Sequence, residues 1–290
     1  MSAITELARA KVNLTLKVLG RRADGYHVLE SLIAFAGVGD VVRFEPGARL
    51  GVEVSGPFAA AITGHNLVET ALQRLSAAHP DLTLGHVTID KRLPIAAGIG
   101  GGSADAAAVL RAVRHANAAV AGKVDWAGLA ARLGADVPVC LGDRAALVWG
   151  IGEHIEPVPE LPQLHAVLVC PDSAAPLGKT KSVFARLSVP PAPTEAPPAP
   201  LPRFADGAAL LAYMRANGND LRAAARAVLP ASAGTETALT ALPECLHVSL
   251  SGAGPTCFGI FQDATRATAA ADVFQAAHPS WWVAATTLGD

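Results

Sequence analysis

Residues 94–108, Pro-Ile-Ala-Ala-Gly-Ile-Gly-Gly-Gly-Ser-Ala-Asp-Ala-Ala-Ala, put four glycines and a serine ahead of an alanine-rich helical pattern. That order of residue types suits an anion. Glycines let backbone N–H groups approach a ligand without interference from Cβ, and the helix start behind them adds unpaired donors and about half a positive charge. The geometry expected is a phosphate loop of the kind that holds a nucleotide triphosphate. Two better-known loops fail on spacing. A Gly-x-Gly-x-x-Gly fingerprint would need glycine where Ser103 stands when counted from Gly98, and where Asp105 stands when counted from Gly100. A Walker A loop needs Lys-Ser or Lys-Thr after its last glycine, but Gly102 is followed by Ser103 and Ala104. The competing interpretation is a tight helix start with no ligand.

A second segment, residues 173–180 (Ser-Ala-Ala-Pro-Leu-Gly-Lys-Thr), comes within one residue of a Walker A loop. Ser173 stands where the glycine of the sharp turn belongs, and Pro176 removes a backbone donor from the set that would wrap a phosphate. Lys179 and Thr180 are therefore not assigned to a P-loop.

Composition sets the frame for these loops. The chain has 290 residues, is 51% hydrophobic and carries a net charge of −2, with 23 basic residues that form no block. Nucleic acid is not an expected partner. Mean hydropathy is +0.35, inflated by alanine, and no apolar run approaches the roughly 18 residues of a membrane span. With no basic-then-apolar leader at the N-terminus, the expected compartment is the cytoplasm. Cys140, Cys170, Cys245 and Cys257 lack any Cys-x-x-Cys spacing and read as reduced residues, mostly of the core. No histidine pairing has metal-ligand spacing, so no metal ligand is assigned.

The elements that must position the loops are read from periodicity. Alternation predicts strands over 10–18, 41–45, 50–54 and 86–90, the last leading straight into the glycine run. Helices are expected over 66–75, with Asn66 as N-cap, over 103–117, and over 125–133, ending at Gly134. The proline-bearing stretch 156–162 marks a division into two domains, 1–155 and 156–290. Beyond it come a buried strand over 165–170, helices over 179–187, 207–216, 221–228 and 264–277, and strands over 247–251, 257–261 and 282–285. Residues 189–202 are proline-dense and expected to be an extended surface loop. The class is α+β, without an internal repeat.

Three separated segments resemble the GHMP kinases, the small-molecule kinase superfamily that includes galactose, homoserine and mevalonate kinases. Residues 8–14 (Ala-Arg-Ala-Lys-Val-Asn-Leu) are similar to its first motif, 94–107 to its second, and 250–257 (Leu-Ser-Gly-Ala-Gly-Pro-Thr-Cys) to its third. Within it, residues 20–27 (Gly-Arg-Arg-Ala-Asp-Gly-Tyr-His), 29–32, 133–138, 150–153 and 219–221 resemble the branch acting on a cytidine diphosphate-linked methylerythritol. The resemblance implies an S5-domain-2-like N-terminal domain and a ferredoxin-like C-terminal domain. It also implies ATP-dependent phosphorylation of the substrate's 2-hydroxyl in the non-mevalonate isoprenoid pathway, by a cytoplasmic monomer or homodimer.

Site roles follow from that resemblance residue by residue. Asp136 matches the catalytic aspartate that accepts the hydroxyl proton; otherwise it is a turn or N-cap residue before Val137 and Pro138. Lys11 matches the active-site lysine, which would orient Asp136 and lower the hydroxyl's proton affinity; otherwise a strand lysine is usually solvated. Asn13, two residues on and on the same strand face, would contact substrate or Asp136. Pro94, Ile95, Ala96, Ala97, Gly98, Ile99, Gly100, Gly101, Gly102, Ser103 and Ala104 would bind ATP, with Mg²⁺ bridging phosphate oxygens. Ala104 replaces a serine common in the family, and Asp105 is left between a helix-dipole role and a metal contact. Tyr26 and His27 would hold the cytidine, Thr180 would lie near the substrate, and Gly252 and Gly254 would approach the phosphates. A kinase for homoserine or mevalonate, and a silent relative that only binds ligand, remain as rivals; silent relatives tend to lack the base, and Lys11 and Asp136 are both present here.

Overall fold

Side chains of Gly85–Asp90 are buried at every second position, the signature of a strand with one face on a core. The structure, a computed structural model, describes residues 2–64, 66–172, 176, 178–192 and 198–289. Its strands are β1 (Ile4–Asn13), β2 (Lys17–Arg21), β3 (His27–Pro46), β4 (Gly51–Ser55), β5 (Gly85–Asp90), β6 (Ala146–Gly150), β7 (His154–Pro157), β8 (Leu164–Cys170), β9 (His247–Leu250), β10 (Cys257–Phe261) and β11 (Trp282–Gly289). Its α-helices are α1 (Leu67–Ala78), α2 (Gly101–Ala116), α3 (Trp126–Leu133), α4 (Val137–Gly142), α5 (Lys179–Phe184), α6 (Gly207–Asn217), α7 (Arg222–Val228), α8 (Pro230–Thr240) and α9 (Ala264–Ala277).

Two compact units emerge, and each is drawn from several stretches of chain. The first takes residues up to Ala10, Val38–Ile95 and Gly100–Asp143; the second takes Lys11–Gly37, Ala96–Ile99 and residues from Arg144 onward. The chain thus passes between the units several times, where the sequence predicts one division at residue 155. The cause lies in β3. Its second half pairs with β5, from Val41 opposite Asp90 to Pro46 opposite Gly85, while its first half pairs with β2, β6 and β11.

In the first unit β4 runs parallel to β5, with α1 as the connection that a parallel pair requires. Asn66 caps α1 by accepting a bond from Val68 N, as its side chain predicts. Helix α2 packs against α1 and α4 through an alanine face, and Ala106, Ala107, Ala108 and Ala112 are fully buried there. Small side chains let the helix seat closely on its neighbours. It begins at Gly101, two residues before the expected Ser103, so Gly101, Gly102 and Ser103 form its first turn.

In the second unit β11, β8, β10 and β9 lie side by side, and all three neighbouring pairs are antiparallel. With helices after β8 and after β10, this is the β-α-β-β-α-β ferredoxin-like order. Val167, Val169, Leu239, Leu250, Phe261 and Phe274 form its core. The expected strand over 10–18 is broken here. Leu14 and Thr15 both donate to Leu32 O, and Leu16 N turns to Gly218 O, so β1 ends at Asn13 and β2 starts afresh at Lys17. His27, expected in a loop, opens β3. Segments 173–180 and 189–202 lie partly outside the described residues. No helix among the described residues is long and apolar enough to cross a membrane.

The alanine face of α2 yields a direct test. Ala108→Leu forces added methylenes into a closed seam and should cost about 1–3 kcal/mol, whereas His115→Leu on the exposed face should stay within about 0.5 kcal/mol. Urea unfolding followed by circular dichroism separates the two; equal effects would refute close seating of α2.

Candidate active site

The glycine loop is fixed from its carbonyl side. In the second unit, Ala96 O accepts from Lys179 Nζ at 2.7 Å, Ala97 O from Thr256 N at 3.1 Å, Gly98 O from Ser251 Oγ at 3.0 Å, and Ile99 O from Lys11 N at 2.9 Å. Four consecutive carbonyls thus face protein donors. In a planar trans peptide the N–H points opposite to the carbonyl it shares a plane with, so the N–H groups of Ala97, Gly98, Ile99 and Gly100 are turned the other way. None of them donates to a described residue. Gly98 has φ +83°, and a Cβ there would fall 2.5 Å from Gly254 O; only glycine permits this approach.

The start of α2 lies in the first unit. Gly100, at φ +68°, is its N-cap residue, and Gly101, Gly102 and Ser103 present first-turn N–H groups that donate to no described residue. A sixteen-residue helix places its positive dipole end there. Ala104 N already closes the first helical bond, to Gly100 O at 2.8 Å. Pro94 and Ile95 belong to this unit and lead from the strand β5 toward the loop.

A buried ion cluster sits under that helix start. Lys91 Nζ lies 2.5 Å from Asp40 Oδ2 and 2.6 Å from Asp105 Oδ2, and all three residues are buried. The other Asp40 oxygen accepts from Arg92 N and Leu93 N at 2.6 and 2.7 Å, which fixes the chain as it leaves β5. Burial pushes the Asp105 carboxyl up, to about 7, against the pull of Lys91, and Asp40 adds to the rise. Asp105 Oδ2 is thus paired with Lys91, while its Oδ1 has no hydrogen-bond partner. The composition-based reading passed over Lys91 and Asp40. A carboxylate set among the alanines of α2 was the available signal, because such a position demands a buried counter-charge.

Lys11 is buried, not solvated: its Nζ donates to Asn13 Oδ1 at 3.1 Å, confirming that the two share a strand face. Asn13 Nδ2 donates on to Ser31 Oγ at 2.8 Å, and Ser31 Oγ to Thr15 O at 2.6 Å. The chain of bonds sets the amide so that its oxygen faces the ammonium. Asp136, in the first unit, is half-buried at the N-cap position of α4 and makes no side-chain capping bond. That helix is anchored by Arg111, which donates to Cys140 O and to Glu6 Oε2, both at 2.8 Å.

Tyr26, His27 and Thr180 all fall in the second unit. Tyr26 is 61% exposed, and the His27 ring lies 4.9 Å from that of Phe184. Burial, and then the Arg21 guanidinium, hold the His27 imidazole below its usual pKa. Thr180 is exposed on α5, four residues before Phe184 and so on the same helix face. Phe184 was not singled out from sequence, although its i+4 spacing from Thr180 was legible. Asn219 donates to Leu250 O and Gly252 O at 2.8 and 2.9 Å, tying down the turn that carries Gly252 and Gly254.

The ion cluster separates two roles that resemble each other on paper. Asp40→Ala removes one of the two carboxylates that pair with Lys91, strands the N–H groups of Arg92 and Leu93, and should cost about 3–5 kcal/mol. Asp105→Asn leaves Lys91 paired with Asp40 and should be neutral or stabilising at pH 8. The sign follows from the raised carboxyl: the stability from its extra native-state proton is full below the unfolded value, declines as pH rises from there, and is lost once pH passes about 7. Melting temperatures at pH 5.5 and pH 8 check this; equal losses in both variants at pH 8 would contradict it.

Similarity to known proteins matches this arrangement. The family model described as GHMP kinases N terminal domain matches residues 66–150, and that described as GHMP kinases C terminal matches residues 203–280. The 4-diphosphocytidyl-2-C-methyl-D-erythritol kinase of Parvibaculum lavamentivorans is 44% identical over 99% of this chain and 98% of its own length. That of Dinoroseobacter shibae is 45% identical over 98% and 95%. A crystal structure of 4-(cytidine 5'-diphospho)-2C-methyl-D-erythritol kinase superposes with a TM-score of 0.77 at 32% identity, covering 99% of this chain and 100% of that one. The homoserine kinase of Cytophaga hutchinsonii, at 15% identity and a TM-score of 0.65 over 100% and 96%, shares the fold. With both family models matched and identity above 40% over nearly the whole length, the chain belongs to the GHMP kinases and is a small-molecule kinase.

Proposed function

We propose that this kinase transfers the γ-phosphoryl group of ATP to the 2-hydroxyl of 4-diphosphocytidyl-2-C-methyl-D-erythritol, on the non-mevalonate route to isoprenoid precursors. The observation that carries the nucleotide half is the row of four tethered carbonyls, which leaves the opposite edge of the loop to an anion. The names of the full-length relatives carry the acceptor half.

In this reading residues 94–104 hold the triphosphate through backbone N–H groups. Phosphoryl transfer asks for placement and charge stabilisation more than for covalent help. Asp136 accepts the proton of the 2-hydroxyl, and the Lys11 ammonium, set by Asn13, lowers that hydroxyl's proton affinity. Tyr26 offers an exposed face to the cytosine, with His27 and Phe184 beside it for edge and stacking contacts and Thr180 on the same helix. Among the described residues no cluster of three His, Cys, Asp or Glu could hold a metal, and Asp105 Oδ2 pairs with Lys91. Mg²⁺ carried with the nucleotide would neutralise phosphate charge. Burial raises the Cys170 and Cys257 thiols well above their ordinary range, which suits a reducing cytoplasm in which they stay inert.

Purified protein with ATP and Mg²⁺ should phosphorylate the diphosphocytidyl substrate and neither homoserine nor mevalonate. Transfer to either of the latter alone would overturn the acceptor. Asp136→Ala should lower kcat by about 10²–10⁴-fold with an unchanged melting temperature, and full activity would remove its role. Tyr26→Ala should raise KM for the acceptor by about 5-fold or more, the loss expected of one base–aromatic stack, while KM for ATP stays put.

A further inference from the structure

We propose that Lys179 is a positioning residue of the nucleotide site, whose ammonium clamps the carbonyls of Ala96 and Gly254 and so holds the phosphate loop with its N–H edge presented. The inference rests on the ATP reading above. It uses the lysine of the near-Walker segment, which no step of that reading employs.

The geometry is specific. Lys179, 7% exposed at the start of α5, donates to Ala96 O at 2.7 Å and closely to Gly254 O. Gly254 O is also the atom against which Gly98 is packed, so one carbonyl joins the lysine, the phosphate loop and the turn after β9. Ala96 sits at φ +53°, a conformation costly for a residue with a Cβ, and it persists only where its surroundings impose it. The Lys179 bond to its carbonyl is such an imposition.

The charge is the second observation. Among the described residues no carboxylate lies within ion-pair distance of Lys179. The titratable groups that act on it are the Cys170 thiol of β8, itself under the influence of Thr256 and Asp172, and the Lys11 ammonium of β1. Burial pushes the Cys170 thiol up to about 11, so it is neutral near pH 8. Burial, with Lys11 adding like-charge repulsion, pulls Lys179 down to about 8. A neutral side chain would serve a purely structural clamp at lower cost, since a buried cation without a counter-ion is destabilising. A bound polyphosphate supplies the counter-charge, so nucleotide binding draws a proton onto Lys179 around pH 8.

Calorimetric titration of the whole enzyme with a non-hydrolysable ATP analogue, in buffers of different ionisation enthalpy, reads that proton. Uptake is expected near pH 8–9 and should disappear in Lys179→Arg, which stays charged. Lys179→Met should raise KM for ATP by about 10-fold or more and leave KM for the acceptor unchanged, as loss of a charged hydrogen bond implies. Absence of proton uptake by the wild-type enzyme would overturn the role of Lys179 even if the variants fail to fold, and so would an unchanged KM for ATP in Lys179→Met. A wild-type enzyme that neither binds the analogue nor transfers from ATP would instead overturn the ATP reading, and this role with it.

Discussion

The inward-turned carbonyls of Ala96–Ile99 are the constraint on which the candidate nucleotide site depends. A phosphate loop needs its donors unpaired and held still, and a loop of small residues does not hold itself still. Here the acceptor edge is held by β1, by the turn after β9 and by α5, through Lys11 N, Ser251 Oγ, Thr256 N and Lys179 Nζ. The donor edge follows because the peptide is planar. The tethers are themselves fixed: Ser251 Oγ also accepts from Asn13 N, and Asn219 bonds the carbonyls on either side of Ser251. Changes at Asn219 or Asn13 therefore reach the loop without touching a ligand.

Buried lysines are treated in two different ways in this chain. Lys91 is balanced by two carboxylates, and the cluster serves to anchor the strand exit and the first turn of α2. Its charge is spent inside the protein. Lys179 donates to the carbonyl oxygens of Ala96 and Gly254. Carbonyl dipoles stabilise an ammonium less than a carboxylate does, so this position keeps a positive potential that an anion can use. The two kinds of lysine are indistinguishable by residue type alone.

Much of the fold was legible wherever local chemistry and tertiary context agree. Asn66 caps the helix as expected, Asp125 and Asp263 cap two others, and α9 runs over the stretch its periodicity predicts. The misses share a cause. Helices α4 and α8 both carry proline in their first turn, where it is tolerated because the N–H there has no partner to lose, yet proline reads from sequence as a break. The twenty-residue β3 was visible only over its amphipathic end, because residues 32–38 (Leu-Ile-Ala-Phe-Ala-Gly-Val) are continuously apolar and lose the alternation. Of the site, the glycine loop follows from residue types and spacing, while Lys11 rests on the family resemblance, with Asn13 placed on its strand face by the two-residue spacing. The Lys91 cluster and the Lys179 clamp do not, since each joins residues dozens of positions apart.

Proline also bears on how the helix start at Asp136 is capped. An aspartate at an N-cap position ordinarily accepts a bond from the N–H two or three residues on. Two residues on from Asp136 stands Pro138, which has no N–H to give. The helix start is thereby relieved of one orphan donor, and the backbone contributes instead, with Asp136 O accepting from Cys140 N at 3.1 Å. The carboxylate is not spent on capping. The Asp-Val-Pro sequence thus places an acid at a helix start while withdrawing one of the backbone N–H groups that would otherwise cap onto it.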